Sequence, residues 1–362
     1  MKRPRAKLLT NADLAELLAR EAEANAGILS RAFRRAARSA FLWPEQAADL
    51  IAQKQPLTEL HAIGPFIAKQ ILRWIDKPPP SSAKIPPIRH DFFALADARK
   101  LLKANPAWSK LLRGDLQMHT RYSDGSGTIA EMAEAARERG YEYIAITDHS
   151  KGLKIAGGID EQQLRKQTTE IAKANMSMSE PDRRLRASGK ITVLSSIEMN
   201  LNPRGEGDMD PRSLSKLDLV LGSFHSSLRT KEDQTTRYLA ALRNPDIQIL
   251  GHPRGRIYNY RLGLKADWAR VFADAARIDK AVEIDCYPDR QDLNLSLLKI
   301  ARQEGVRISL GTDTHHPWQL YFIELGLVAA LRAKIPGHRI VNFMSIQELS
   351  RWVAKIRSRR KR

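Results

Sequence analysis

The sequence predicts an α/β fold: a distorted (βα)7 barrel of the TIM type, preceded by a small all-α domain. Three observations carry this. Seven short apolar runs recur between residues 114 and 313, mostly separated by amphipathic helical patterns, and such alternation argues for a parallel sheet flanked by helices. The string DKPPPSSAKIPPIRH, with five prolines in fifteen residues, reads as a stiff extended linker. Ahead of that linker only helical periodicity is found.

In order along the chain, NADLAELLAREAEANA places Asn11 as a cap, with Leu14, Leu17 and Leu18 on one face. SRAFRRAARSAFLW carries Arg31, Arg34, Arg35 and Arg38 at helical spacing beside Phe33, Ala37 and Phe41. Residues 57–75, LTELHAIGPFIAKQILRWI, predict a helix, a tight turn at Ile63-Gly64 and a second helix that aligns Ile67, Ile71 and Ile75. The expected boundaries are a helical domain over 1–76, the linker over 77–90, a barrel with a leading helix over 91–350, and a basic tail over 351–362.

The strand candidates are GDLQMHT (114–120), YEYIAITDH (141–149), ITVLSSIE (191–198), LDLVLGSFH (217–225), DIQILGH (246–252), KAVEIDC (280–286) and VRISLGTD (306–313). Parallel α/β barrels place their active sites at the C-terminal ends of the strands. Polar clusters stand at those ends: Gln117, His119 and Asp124; His149; Glu198; His225; His252; Asp313 and His315. Residues two apart in a strand face the same side, so Gln117 can point with His119 and Asp313 with His315. One such histidine alone would be an ordinary core or surface residue, but six of the nine histidines fall at strand ends. Imidazoles and carboxylates converging there suit Zn, Mn or Fe, with no cysteine among them.

Bulk composition narrows the function. One cysteine, Cys286, excludes an intramolecular disulfide framework and points to a reducing compartment. No apolar run approaches the ~20 residues of a membrane span, and MKRPRAKLLT leads into charged helix rather than an apolar signal core. A cytoplasmic protein without a membrane role is therefore expected. The net charge of +19 is uneven: residues 1–110 hold 19 Lys and Arg against 10 Asp and Glu, and residues 351–362 hold 7 against none. Basic ends on a near-neutral middle suit a polyanion such as DNA, bound through its phosphates without sequence preference; solvated faces are the alternative.

The helix-turn-helix stretch at 57–75 is similar to a helix-hairpin-helix, and residues 11–75 resemble the amino-terminal domain of family X DNA polymerases. That resemblance implies that the turn at Gly64 and the following helix, with Lys69, meet a DNA phosphate. Ala62 replaces the usual first glycine, and Gln70 stands where lyase-competent members carry a Schiff-base lysine, so no lyase activity is expected. Residues 114–350 resemble the polymerase and histidinol phosphatase (PHP) family, closest to the C-terminal PHP domain of bacterial family X polymerases. DLQMHTRYSDG, ITDHSKGLKIAGG, DLVLGSFHS, DQTTRYLAAL, AVEIDCYPDRQDL and RWVAKIR carry the likeness. The polymerase palm has no counterpart between the two regions.

The resemblance implies up to three metal ions, with Mn the activating one: His119, Glu198 and Asp313 for the first; a bridging Glu198 with His225 and His252 for the second; Asp124, His149 and His315 for the third. Gln117 departs from the histidine of many members and offers a neutral, weaker ligand. Arg256 and Arg290 are candidates to hold a substrate phosphate, with structural roles the alternative. Asp285 and His316 are candidates to support the ligands. The implied activity is phosphoester hydrolysis on DNA: a 3′-to-5′ exonuclease, a 3′-end-processing enzyme or an abasic-site endonuclease in repair. A small-molecule phosphatase of the histidinol-phosphate type is the alternative.

Overall fold

The computed structural model describes residues 9–79, 84–178 and 190–359. It divides into two compact units, Met1–Ala104 with Ile257–Leu262, and Asn105–Arg256 with Gly263–Arg362. Among the described residues no helix is long and apolar enough to cross a membrane.

The first unit is helical: Asn11–Ala24, Gly27–Ser39, Ala47–Ala52, Pro65–Asp76 and Leu95–Ala104. Its core holds Leu14, Leu18, Phe33, Trp43 and Ile71. The first helix is capped by Thr10, in a capping box with Asp13, one residue before the expected Asn11. Asn11 is engaged elsewhere: its side chain donates to Glu45 O at 2.8 Å and accepts from Ala47 N at 2.9 Å. Leu57–Glu59 is a single 3-10 turn rather than the expected α-helix. Ala62 adopts a left-handed φ of 63°, the conformation that glycine takes most cheaply, and Gly64 then precedes Pro65–Asp76.

The expected boundaries shift. Part of the linker, 80–83, lies outside the described residues, but Pro87–Arg89 forms a 3-10 turn. Buried Arg89 donates to Glu16 through Nε at 2.8 Å and Nη2 at 3.1 Å. The unit then continues to Ala104, so the leading helix belongs here rather than to the barrel. Ring packing explains it: Tyr258 lies 4.8 Å from Phe41 and 5.2 Å from Phe92, and Gln46 donates to Asp97 at 2.7 Å.

Among the described residues the second unit has eight strands: β1 Gly114–Asp115, β2 Tyr143–Ile146, β3 Thr192–Ser195, β4 Glu198–Asn200, β5 Leu221–Ser223, β6 Ile249–Leu250, β7 Ala281–Asp285 and β8 Arg307–Gly311. They form two parallel sheets, β1-β2-β3 and β4-β5-β6-β7-β8. Parallel pairing and intervening helices are as the alternation predicts. The count differs because the third expected strand breaks after Ser195, whose N–H and hydroxyl both donate to Asp218 Oδ2 at 2.8 Å. Backbone pairing carries on past the break, with Asp218 N donating to Ser195 O at 2.8 Å and Leu221 N to Ile197 O at 3.1 Å, so the chain passes from pairing with β2 to pairing with β5. Single parallel bridges, Met118–Thr314 and His149–Glu198, run from the ends of one sheet to the other.

The expected basic tail is also corrected. Ser345 caps a helix over Ile346–Ser358 that buries Trp352, Val353 and Ile356. These side chains pack with Leu219, Leu221, Ile249 and Ala281 of the strand region. Its apolar stripe is the physical reason, and residues 360–362 lie outside the described residues.

Candidate metal centre

The strand ends place their side chains by pleat and by short polar loops. Buried Asp148, one residue before His149, accepts from Thr120 N at 2.7 Å, Thr120 Oγ1 at 2.6 Å and Gln167 Nε2 at 2.6 Å. It thereby fixes the turn that delivers Asp124. Asp313 N donates to Gln117 O at 3.1 Å, and His119 N donates to Thr314 O at 2.8 Å, so the first and last strand ends are laced together.

Glu198 is the centre of the result. Its fully buried carboxylate has His252 Nε2 at 2.6 Å, His149 Nδ1 at 3.0 Å, His225 Nε2 at 3.3 Å and His119 Nε2 at 3.6 Å. His119 Nε2 also lies 2.9 Å from Asp313 Oδ1. Asp124 Oδ1 stands 3.3 Å from His315 Nε2, 3.6 Å from His149 Nε2 and 3.9 Å from His119 Nδ1. The His119 ring stacks with His149, 4.3 Å away, and with His315, 4.5 Å away.

Three groups therefore have ligand atoms close enough to share an ion: His119, Asp124, His149 and His315; His149, Glu198 and His225; and His119, Glu198 and Asp313. His252 joins the second through Glu198. Buried atoms without hydrogen bonds test the fit: His119 Nδ1, His149 Nδ1, His225 Nε2 and Glu198 Oε2 all lack one. Buried polar atoms are ordinarily satisfied, so a cluster of four unsatisfied ones of ligand type is a donor set that fits a metal cation. Other contacts fix tautomers: His225 Nδ1 meets Asn200 Oδ1 at 3.1 Å and His315 Nδ1 meets Asp313 O at 2.7 Å. With Nδ1–H donating in each, both Nε2 lone pairs face inward.

The charges are mutually adapted. Burial would raise the Glu198 carboxyl, but the His252, His149 and His225 charges outweigh it and hold it well below the usual range. For Asp313, burial is likewise overcome by Arg290, His315 and His119. Asp124 is lowered to about 2, against its burial, by His315, His119 and His149. Burial lowers His252 and His315, yet Glu198 raises the first to about 10, and Asp124 with Asp313 raises the second to about 9. Burial and the neighbouring imidazole charges lower His119.

The predicted arginines divide. Arg290, its side chain 34% exposed, holds Asp313 and lies 3.6 Å from Asp285 Oδ2. Arg256 is buried, with Nε donating to Arg290 O at 2.9 Å and Gln291 O at 3.0 Å. In the helical unit Arg31, Arg34, Arg35, Gly64 and Lys69 are exposed and Arg38 is half-buried. Sequence reasoning missed Asp148, Asn200 and Glu283. Asp148 lies inside the motif ITDHSKGLKIAGG and was within reach; the other two bind partners remote in sequence.

Comparison with known proteins follows this geometry. Residues 115–311 match the PHP domain family. A Bacillus subtilis protein, DNA polymerase/3'-5' exonuclease PolX, is 32% identical over 245 residues, covering 67% of this chain and 41% of its own length. The chain thus spans about two fifths of that relative. A probable phosphatase of Photobacterium profundum is 27% identical over 212 residues, 56% of this chain and 77% of that protein. Among solved structures, the histidinol phosphate phosphatase of Lactococcus lactis complexed with Zn, L-histidinol and phosphate superposes with a TM-score of 0.44 at 18% identity, covering 62% of this chain and 94% of that one.

Proposed function

This chain belongs to the PHP domain family, and from that premise we propose that it is a metal-dependent phosphoesterase acting on DNA, as a 3′-to-5′ exonuclease, a 3′-end-processing enzyme or an abasic-site endonuclease in repair. The observation that carries the hydrolase reading is the gathering of four imidazoles on the buried Glu198 carboxylate. We read the two sheets as one distorted barrel, a reading supported by the bridges between their strand ends. The ligand assignment is Glu198 with His119 and Asp313, Glu198 with His225 and His252, and Asp124 with His149 and His315. Mn or Zn bound there would supply Lewis acidity to the phosphate oxygens and to the attacking water.

The protein's own groups do the rest. Glu198, Asp313 and Asp124 are ionised at neutral pH and the imidazole nitrogens already face them, so loading asks for loss of protons from His252 and His315 rather than for movement of side chains. Arg290, partly exposed and anchored on Asp313, is the group we assign to a substrate phosphate oxygen, where a guanidinium can make two parallel bonds. Arg256 acts one step back, bracing the 290–291 backbone. The helical unit, which we read as a helix-hairpin-helix domain, contributes Arg31, Arg34, Arg35, Arg38, Gly64 and Lys69 as a sequence-independent grip on the phosphate backbone. Similarity to PolX of B. subtilis supports the DNA substrate.

Similarity to a probable phosphatase over most of that protein's length favours the second reading, a small-molecule phosphatase of the histidinol-phosphate type. One experiment divides them. The full chain with Mn is given a 5′-labelled duplex carrying an abasic or 3′-blocked end and, in parallel, histidinol phosphate and p-nitrophenyl phosphate. The DNA reading predicts higher kcat/KM on the duplex; turnover confined to the small monoesters rejects it.

A further inference from the structure

Glu283, on β7, is fully buried beside the metal centre, and no step above uses it. Its surroundings are built to receive it. A Cβ at Gly311 of β8 would lie 2.2 Å from Glu283 Oε1 and 2.7 Å from Gln117 Cβ, so only glycine permits this approach. The Gln117 carboxamide meets the carboxylate. Oriented with its nitrogen toward Glu283, it donates to Oε1 at 2.6 Å and Oε2 at 2.9 Å, whereas the exchanged orientation sets an oxygen against two oxygens.

The same carboxylate accepts from His252 N at 2.7 Å, and the backbone carbonyl of Gln117 accepts from Asp313 N at 3.1 Å. His252 and Asp313 have φ of 20° and 52°, in the region that side-chain-bearing residues rarely occupy. Such conformations are strained and persist only where the surroundings impose them. From them, His252 reaches Glu198 at 2.6 Å and Asp313 reaches His119 at 2.9 Å.

We propose that Gln117 and Glu283 form one positioning unit: Glu283 binds the carboxamide nitrogen, leaves the carboxamide oxygen as the atom Gln117 offers a cation, and together with the Gln117 carbonyl holds His252 and Asp313 in their strained conformations. Gln117 is then not a weakened histidine but half of a pair, with Gly311 the third requirement. The inference rests on the metal reading of the site and not on the identity of the substrate.

The test compares the full chain with Gln117→Met, Glu283→Gln and the double variant. Mn2+ stoichiometry and Kd are measured by titration calorimetry and by the electron paramagnetic resonance of free Mn2+, with urea unfolding of the metal-free proteins alongside. Each single variant is expected to weaken at least one ion by ~10- to 100-fold, the range for residues that orient metal ligands. The double variant is expected to fall clearly short of the product of the two single effects, because both changes break the same carboxyl–carboxamide contact. Glu283→Gln binding every ion within twofold of the unaltered chain overturns the proposal, as do single effects that multiply in the double. Should Glu283→Gln not fold, Gln117→Met alone decides by the same affinity criterion. An unaltered chain that binds Mn2+ but cuts no DNA defeats the functional reading and leaves this one standing; one that binds no Mn2+ defeats both.

Discussion

Glu198 has no exposure to solvent and four imidazoles within 3.6 Å. A carboxylate so buried is tolerated only because those rings carry compensating charge or, when loaded, a cation. Glu198→Ala should remove a donor from two of the three groups. Loss of residues that merely orient ligands costs ~10- to 100-fold, so kcat/KM should fall by more than about 100-fold, and Mn2+ stoichiometry should fall with it. His252 and His315, raised to about 10 and about 9, hold protons at pH 7 in the metal-free protein. Ligating imidazoles are neutral, so metal uptake must expel those protons. Calorimetric titration at pH 7 in buffers of different ionisation enthalpy should show proton release on binding, and affinity should rise with pH; proton uptake would contradict the scheme. The candidate ligands were legible in sequence because they are polar and stand at or just after the ends of apolar runs. Glu283 was not, since it lies within a strand and its partner Gln117 is 166 positions away.

At the scale of elements, the helix Ile346–Ser358 closes the apolar end of the strands. Trp352 is buried there and its Nε1 donates to Asp279 O at 2.8 Å. Trp352→Ala should cost about 3–5 kcal/mol by urea unfolding, the range for a large aromatic removed from a core. The seven basic residues of 351–362 masked this apolar stripe in the sequence. The break between β3 and β4 was hidden too, because ITVLSSIE carries no Gly or Pro to mark it and the residue that Ser195 bonds there, Asp218, lies in the next segment. Lys280, just before β7, is buried with Nζ donating to Leu242 O at 2.7 Å, and desolvation lowers its pKa from 10.5 to about 7. Between those values the unfolded chain binds the proton and the folded chain has lost it, so stability must rise with pH through that window. The stability difference between the unaltered chain and Lys280→Met should be flat below pH 7 and climb from pH 7 towards 10; a difference flat throughout would show that Lys280 stays charged.

For the whole molecule, the alternation of strands and helices and the gathering of ligands at strand ends were legible, because the periods and end clusters are local signals. The extent of the helical unit was not. It depends on Phe92 and Tyr258 meeting Phe41, contacts with no local trace, and on Arg89 being buried against Glu16 in a proline-rich stretch. If the helical unit grips DNA, affinity should fall steeply with salt, with a slope in log K against log salt of ~0.9 per phosphate contact. Replacing the exposed Arg31, Arg34 and Arg35 by alanine should make that slope shallower; an unchanged slope would remove these residues from the interface. A metal centre built around Glu198 is tested directly by anomalous diffraction from crystals grown with saturating Mn2+. The account predicts peaks within ~2.0–2.3 Å of the nitrogens and oxygens of the three groups. Strand ends without a peak, or Mn2+ bound only elsewhere, would contradict it.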